Sequence, residues 1–310
     1  MKRAISISIG SSRRDKRVDT EILGEPIRLE RIGTDGNMAE ATRLFRELDG
    51  VVDAFGVGGA NLALEVAGKS YLLYSILPIV QDVKKTPIAD GNGLKNTLEF
   101  RLAAFVDEHI GLPGDSRRAL ITSGADRWGM MAGFFEAGYE CVVGDLMFAL
   151  GLPIPLRSAR AVQRLAALIL PIAGRVPFHW LYPTGEAQEK HEPKWQSYFE
   201  WAQVIAGDCH YITRYMPEDL AGKIIVTNTT TPEDVERFRK AGASYLVTST
   251  PVYGGRSFGT NLMEAALIAI SGKGRPLTHD ELGGMIDRIR LRPQLQALQP
   301  AESAPGREAA

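Results

Sequence analysis

From its first residues the chain alternates short apolar strand signals with segments whose apolar residues recur at helical spacing, and the strands are apolar throughout rather than on one face. AISISIG, IRLERI and VVDAFGVGG read as strands around the helical run MAEATRLFREL, and ALITSG, AQVIAGDCHYI, KIIVTN and SYLVTSTP repeat the pattern later. Strands of this kind are buried on both faces, which calls for parallel sheets covered by helices on either side. The expected class is α/β, with an N-terminal α/β domain and a Rossmann-like doubly wound parallel sheet after it.

Within the first part, LEVAGKSYLL reads as a hairpin around Gly68, SILPIVQDVKK as a helix, PIADG as a short strand and LKNTLEFRLAAFVDEHIG as a long amphipathic helix. GLPGDSRR combines turn formers with charge, and the domain boundary is placed there, giving residues 1–115 and 116–275. In the second part TPEDVERFRKAG has a well-specified start, with Thr231 as N-cap, Pro232 at the first helical position and acids in the first turn. FGTNLMEAALIAISG is a further helix, and THDELGGMIDRIR opens on a capping-box pattern from Thr278 to Glu281. Residues 276–310 are read as a C-terminal helix and a tail that frays from about Arg292. The aromatic, proline-rich PFHWLYPTGEAQEKHEPKW is read as an irregular arm whose Trp180 and Tyr182 pack in a core or a subunit interface.

The stretch ALITSGADRWGMMAGFFEAGYECVVGD reads as strand, tight turn, helix and strand, and its turn has the spacing of the dinucleotide fingerprint G-x-G-x-x-G. Gly124 suits the tight turn and Gly129 the close helix packing, while Ala125, Asp126, Arg127 and Trp128 lie between them. Asp145, at the end of the following strand, stands where an acid accepts hydrogen bonds from an adenosine ribose. The middle glycine is replaced by Asp126. A carboxylate there either faces phosphate oxygens, repelling them by roughly 1 kcal/mol in water and more in a drier site, or caps the helix that begins near Arg127. On this reading the cofactor is NAD or NADP. Asn228 and Thr229, after a later strand, either contact the cofactor or form the turn before Thr231.

Composition narrows the classes further. A net charge of -1 gives no long-range field for nucleic acid or an anionic membrane, and no run approaches the roughly 18 apolar residues of a membrane helix. The start MKRAISISIG is too short and too alternating for a signal peptide, so a cytoplasmic location is expected. Partners are then small molecules, or a second copy of the chain in a homodimer. Cys141 and Cys209 sit in apolar segments read as buried strands, without ligand-like spacing, and no metal is expected. A hydrolase elbow and a P-loop are both missing.

The order of segments resembles the shikimate/quinate dehydrogenase superfamily, and particularly the bacterial quinate 5-dehydrogenase type. The resemblance implies a substrate domain, a Rossmann domain for the nicotinamide cofactor and a terminal helix packing back on the first domain. It also implies a catalytic aspartate in IADGNG, here Asp90, and a serine pair for a substrate carboxylate in SIGSSRR, here Ser11 and Ser12. FGTNLMEAA is similar to the superfamily's late substrate-binding helix and brings in Asn261 and Glu264. Two departures stand out: the serine pair lacks its His-Ser-x-Ser-Pro setting, and the strand ending FGVGGAN carries no lysine. Lys95, five residues after Asp90, restores a Lys-Asp pair from another backbone position, as Lys69 or Lys84 could.

The implied reaction is hydride exchange between nicotinamide and a carbinol carbon of a small carboxylated hydroxy compound, which needs a group to carry the hydroxyl proton. Lys95 with Asp90 is the first choice for that group, and His210, just after a strand end, the alternative. Arg256, in a glycine-rich segment, offers a planar fork to a substrate carboxylate. The competing reading is a non-catalytic ligand-binding or regulatory protein whose phosphate loop has degraded.

Overall fold

The computed structural model describes residues 1–177, 191–253 and 256–299, without the side chains of residues 252, 253, 256 and 257. The chain is an α/β protein with two large, mainly parallel sheets. The aromatic arm around Trp180 and Tyr182 lies outside the described residues.

The first sheet has the order β2-β3-β1-β4-β7, formed by β1 (Lys2–Ser8), β2 (Lys16–Ile22), β3 (Glu25–Gly33), β4 (Ala54–Gly58) and β7 (Ile88–Ala89). Only β2 runs antiparallel; it pairs with β3 across a turn in which Leu23 and Gly24 both have positive φ, the twist-matched hairpin connection. A hairpin of β5 (Ala63–Val66) and β6 (Lys69–Leu72) turns at Ala67 and Gly68, where the sequence places it. Helix α1 (Met38–Leu48), capped by Asn37, lies between β3 and β4. The run SILPIVQDVKK forms only the 3-10 turn Leu77–Val80, with Pro78 in its first turn, and not the expected helix.

A connector follows, made of α2 (Asn92–Thr97), a 3-10 turn (Glu99–Arg101) and α3 (Leu102–His109). The second sheet then has the order β15-β12-β11-β10-β8-β9, with β8 (Arg118–Ile121), β9 (Glu140–Val143), β10 (Val204–Gly207), β11 (Ile224–Thr227), β12 (Tyr245–Thr248) and β15 (Gln294–Ala297). Its helices are α4 (Trp128–Glu136), α5 (Ala159–Ala173), α6 (Gln196–Trp201), α7 (Cys209–Tyr215) and α8 (Pro232–Lys240), and a two-stranded ribbon of β13 (Val252–Tyr253) and β14 (Arg256–Ser257) follows β12. Strand β10 ends at Gly207, and Asp208 caps α7, so Cys209 and His210 open a helix rather than continuing a strand.

Two elements belong elsewhere than the sequence reading puts them. Helix α9 (Thr260–Ser271), expected with the second domain, packs on β1 and β4 of the first sheet, with α10 (His279–Arg288) beside α2. A helix buried on nearly every side carries no polar face to tell which sheet it serves. The tail expected to fray pairs antiparallel with β12 as β15, from Tyr245↔Ala297 to Thr248↔Gln294. Thr231 caps α8 as expected and also forms a capping box with Asp234, and the box expected from Thr278 to Glu281 forms. Among the described residues no helix is long and apolar enough to cross a membrane.

Candidate functional site

Both sheets are doubly wound. Strand order reverses between β1 and β4 in the first and between β8 and β10 in the second, the points at which such sheets receive ligands. The loops at these two points touch. Asn61, three residues past β4, donates from Nδ2 to Asp126 Oδ1 over 2.7 Å, and Arg14 Nη1 lies 3.2 Å from His210 Nε2.

Lys95 is the centre of this junction. Only 5 % exposed, its ammonium donates to Asp126 Oδ1 at 2.8 Å and to Asn61 Oδ1 at 2.9 Å. An ammonium has three N–H groups, so one remains for a ligand oxygen after these two bonds. Burial acts to raise the Asp126 carboxyl, but Lys95 and Arg127 outweigh it and hold it below the usual carboxylate range. Asp126 is therefore the ionised partner in the bridge to Lys95.

The connector is fixed from behind. Gly91 adopts φ 92°, and a Cβ there would meet Thr260 Oγ1 at 2.6 Å. Glu264 on α9 accepts from Leu94 N at 3.1 Å, holding the first turn of α2. Burial, with Asp90 nearby, pushes its carboxyl up to about 8. Asp90 itself accepts from the amides of Leu62 and Ala63 at 2.9 and 3.2 Å and from Asn92. The partner of Lys95 is thus Asp126, and Asp90 fixes the loop that presents Asn61.

The fingerprint loop is used internally. Asp145, opening a π turn after β9, accepts from Gly124 N at 3.0 Å and Ala125 N at 2.8 Å. Burial pushes its carboxyl up to about 6, against the pull of those two amides. Asp126 makes no cap for α4, whose N-cap is Arg127 with no side-chain bond. Arg127, 3 % exposed, points inward: Nη1 donates to Glu99 Oε1 at 2.6 Å and Nη2 to Asp208 Oδ2 at 2.8 Å. Asp208 also accepts from Asn228 Nδ2 at 3.1 Å, and burial notwithstanding, Arg127 and His210 hold its carboxyl well below the usual range. Gly129 meets the connector rather than a strand, since a Cβ there would lie 2.1 Å from Lys95 O.

A nicotinamide dinucleotide on this loop would need bare amides at its start, an uncluttered residue 126 under the pyrophosphate and a carboxylate at 145 turned to ribose. Instead Asp145 fills the amides of Gly124 and Ala125, Lys95 and Asn61 engage Asp126, and the Arg127 guanidinium is spent on Glu99 and Asp208. The residues present do not fit the group.

The remaining expected site residues are spread around this centre. Ser11 and Ser12 are exposed in a turn braced by Asp35, and Asn261 donates to Ser6 Oγ at 2.6 Å at the start of α9. Thr229 is half-buried in the turn after β11, and Trp128 half-buried at the start of α4. The side chain of Arg256 lies outside the described residues. Asn61 and Glu99, not singled out in the sequence, are both part of the buried polar network. The four-residue spacing of Lys95 and Glu99 puts them on one helix face, which was the available signal. Among the described residues no group of three or more His, Cys, Asp or Glu side chains could hold a metal ion.

No curated protein matches the chain. Among solved structures, a glucose-galactose binding protein from Geobacillus stearothermophilus is 11 % identical, covering 96 % of this chain and 97 % of its own at a TM-score of 0.37. The malic enzyme of Entamoeba histolytica is 10 % identical, covering 93 % of this chain and 61 % of its own at a TM-score of 0.39. Two domain families match in succession: a domain of unknown function, DUF8753, over residues 3–90, and a second, DUF8754, over residues 93–298. The second match spans most of the chain, which therefore belongs to the DUF8754 family.

Proposed function

We propose that the chain is an enzyme for a small polar compound, bound where the carboxyl edges of the two sheets meet, and that Lys95 carries a proton to and from its carbonyl or hydroxyl oxygen. The observation behind this reading is the Lys95 ammonium, buried, ionic and held by Asp126 and Asn61 with one N–H to spare. A surface lysine needs no such cradle. Burying a charge is costly unless it is paired and hydrogen-bonded, and here both conditions are met at a ligand-receiving edge.

A substrate oxygen taking the third N–H is polarised by a full positive charge in a site of low dielectric, where the interaction is strongest. As the ammonium half of the ion pair with Asp126, Lys95 acts first as a donor. The superfamily resemblance supplies the substrate class, small hydroxy and oxo carboxylates, and a dehydrogenase of the quinate/shikimate type would ask the same of Lys95. That second reading also needs the nicotinamide site, which the loop lacks.

Thermal shift against a panel of small hydroxy and oxo carboxylates tests the proposal. At least one compound should raise the melting temperature of the wild type by about 2 °C or more, and Lys95→Met should abolish the shift. Compounds that shift Lys95→Met as much as the wild type, or a panel that shifts neither, would contradict it.

A further inference from the structure

We propose that the loop Ser123–Gly129 is an interdomain strut built from a dinucleotide fingerprint, and that Asp126 within it and Asp145 beside it shut nicotinamide dinucleotides out. The idea deepens the reading of Lys95 as the proton-carrying group, but the exclusion of nucleotide stands on separate observations and is tested separately.

Asp145 does to the loop what a bound phosphate would do. Its two oxygens take the amides of Gly124 and Ala125, and it reaches them from within the same β-α-β unit, with no ordering cost to a ligand. The space is small: a Cβ on Gly124 would meet Asp145 Oδ2 at 2.9 Å, Met131 Sδ at 2.7 Å and Val143 Cγ1 at 2.6 Å. Asp126 then projects from the residue over which a pyrophosphate must pass, and it is gripped by Lys95 from the connector and by Asn61 from the loop after β4. Phosphate would have to displace one carboxylate and sit beside the other, two like charges at close range.

Behind the loop, α4 is pressed onto the connector through bare backbone. Cβ atoms at Gly129 and Gly133 would lie 2.1 Å from Lys95 O and 2.2 Å from Phe100 O. The third glycine of the fingerprint thus serves the contact that sets Lys95 against Asp126. Every feature of the motif survives with a new employment: turn, carboxylate and close approach all serve the placing of one ammonium. On this assignment the reaction at Lys95 draws on no nicotinamide dinucleotide at this loop.

The experiment is thermal shift and calorimetric titration of the full chain with NAD+, NADH, NADP+, NADPH and ADP-ribose, each at about 2 mM, well above the affinity expected of a working cofactor. Wild type should respond to none. Asp126→Gly combined with Asp145→Ala clears the amides and leaves the Lys95 ammonium in need of an anion, so ADP-ribose should now raise the melting temperature by several degrees. If the double variant does not fold, Asp145→Ala alone should gain a smaller shift. A wild-type response to any of the five overturns the proposal, and so does a folded variant, with unchanged near-ultraviolet circular dichroism, that still ignores ADP-ribose. Neither result bears on the carboxylate panel, so failure here and failure of the Lys95 reading remain distinguishable.

Discussion

Lys95 and Glu264 lie far apart in sequence but meet at one short helix, the lysine on α2 and the glutamate accepting from its Leu94 amide from α9. Glu264 is 5 % exposed and its carboxyl is pushed up to about 8 by burial and by Asp90, from an ordinary value of 4.5. Such a group ionises first in the unfolded chain, so stability is lost as pH rises from about 4.5 to about 8 and is level above. At pH 7 the loss is about 3 kcal/mol. Gln keeps an acceptor for Leu94 N and does not titrate. Glu264→Gln should therefore gain on wild type across pH 5–8 in urea denaturation; a constant difference over that range would refute the assignment. At this scale the sequence pointed to Lys95, Asp126, Asp145 and Glu264 as residues to watch. It misassigned their partners, because Asn61, Asp126 and Lys95 meet only when two sheets approach, which no spacing along one segment encodes.

Among the elements, the cap and turn signals closed within a few residues form as the sequence places them, whereas SILPIVQDVKK makes only a 3-10 turn. The N-cap at Thr231, the capping box at Thr278 and the hairpin at Gly68 are of the first kind. Strand β2 was missed although KRVDTEI alternates in burial, and β15 was missed because QLQA is exposed at every position and has no apolar pattern to read. Packing between helices left a subtler trace, the glycines of WGMMAG. Gly129→Ala would drive a methyl group into the Lys95 carbonyl, backbone against backbone, and should cost at least 2 kcal/mol. Gly284→Ala on α10, where nothing lies within 4 Å, should instead stabilise by about 0.5–1 kcal/mol. Equal effects of the two substitutions on the urea midpoint would contradict the helix contact described here.

Across the whole molecule the chain passes between its sheets repeatedly: strands of the first, the connector, strands of the second, α9 and α10 back on the first, and β15 returning to the second. The expected two-domain α/β class holds, but the sequential division into residues 1–115 and 116–275 does not describe which helices cover which sheet. That interleaving holds the two ligand-receiving edges together, with Lys95 on the connector between them. The functional account rests on this ammonium acting on a substrate oxygen. Its most direct test is carbon-13 NMR of whichever oxo carboxylate binds, labelled at the carbonyl carbon. Donation from the Lys95 ammonium to the carbonyl oxygen should move that resonance downfield in the presence of wild type, and Lys95→Met, folded and at equal concentration, should lose the shift; equal shifts with the two proteins would contradict the account.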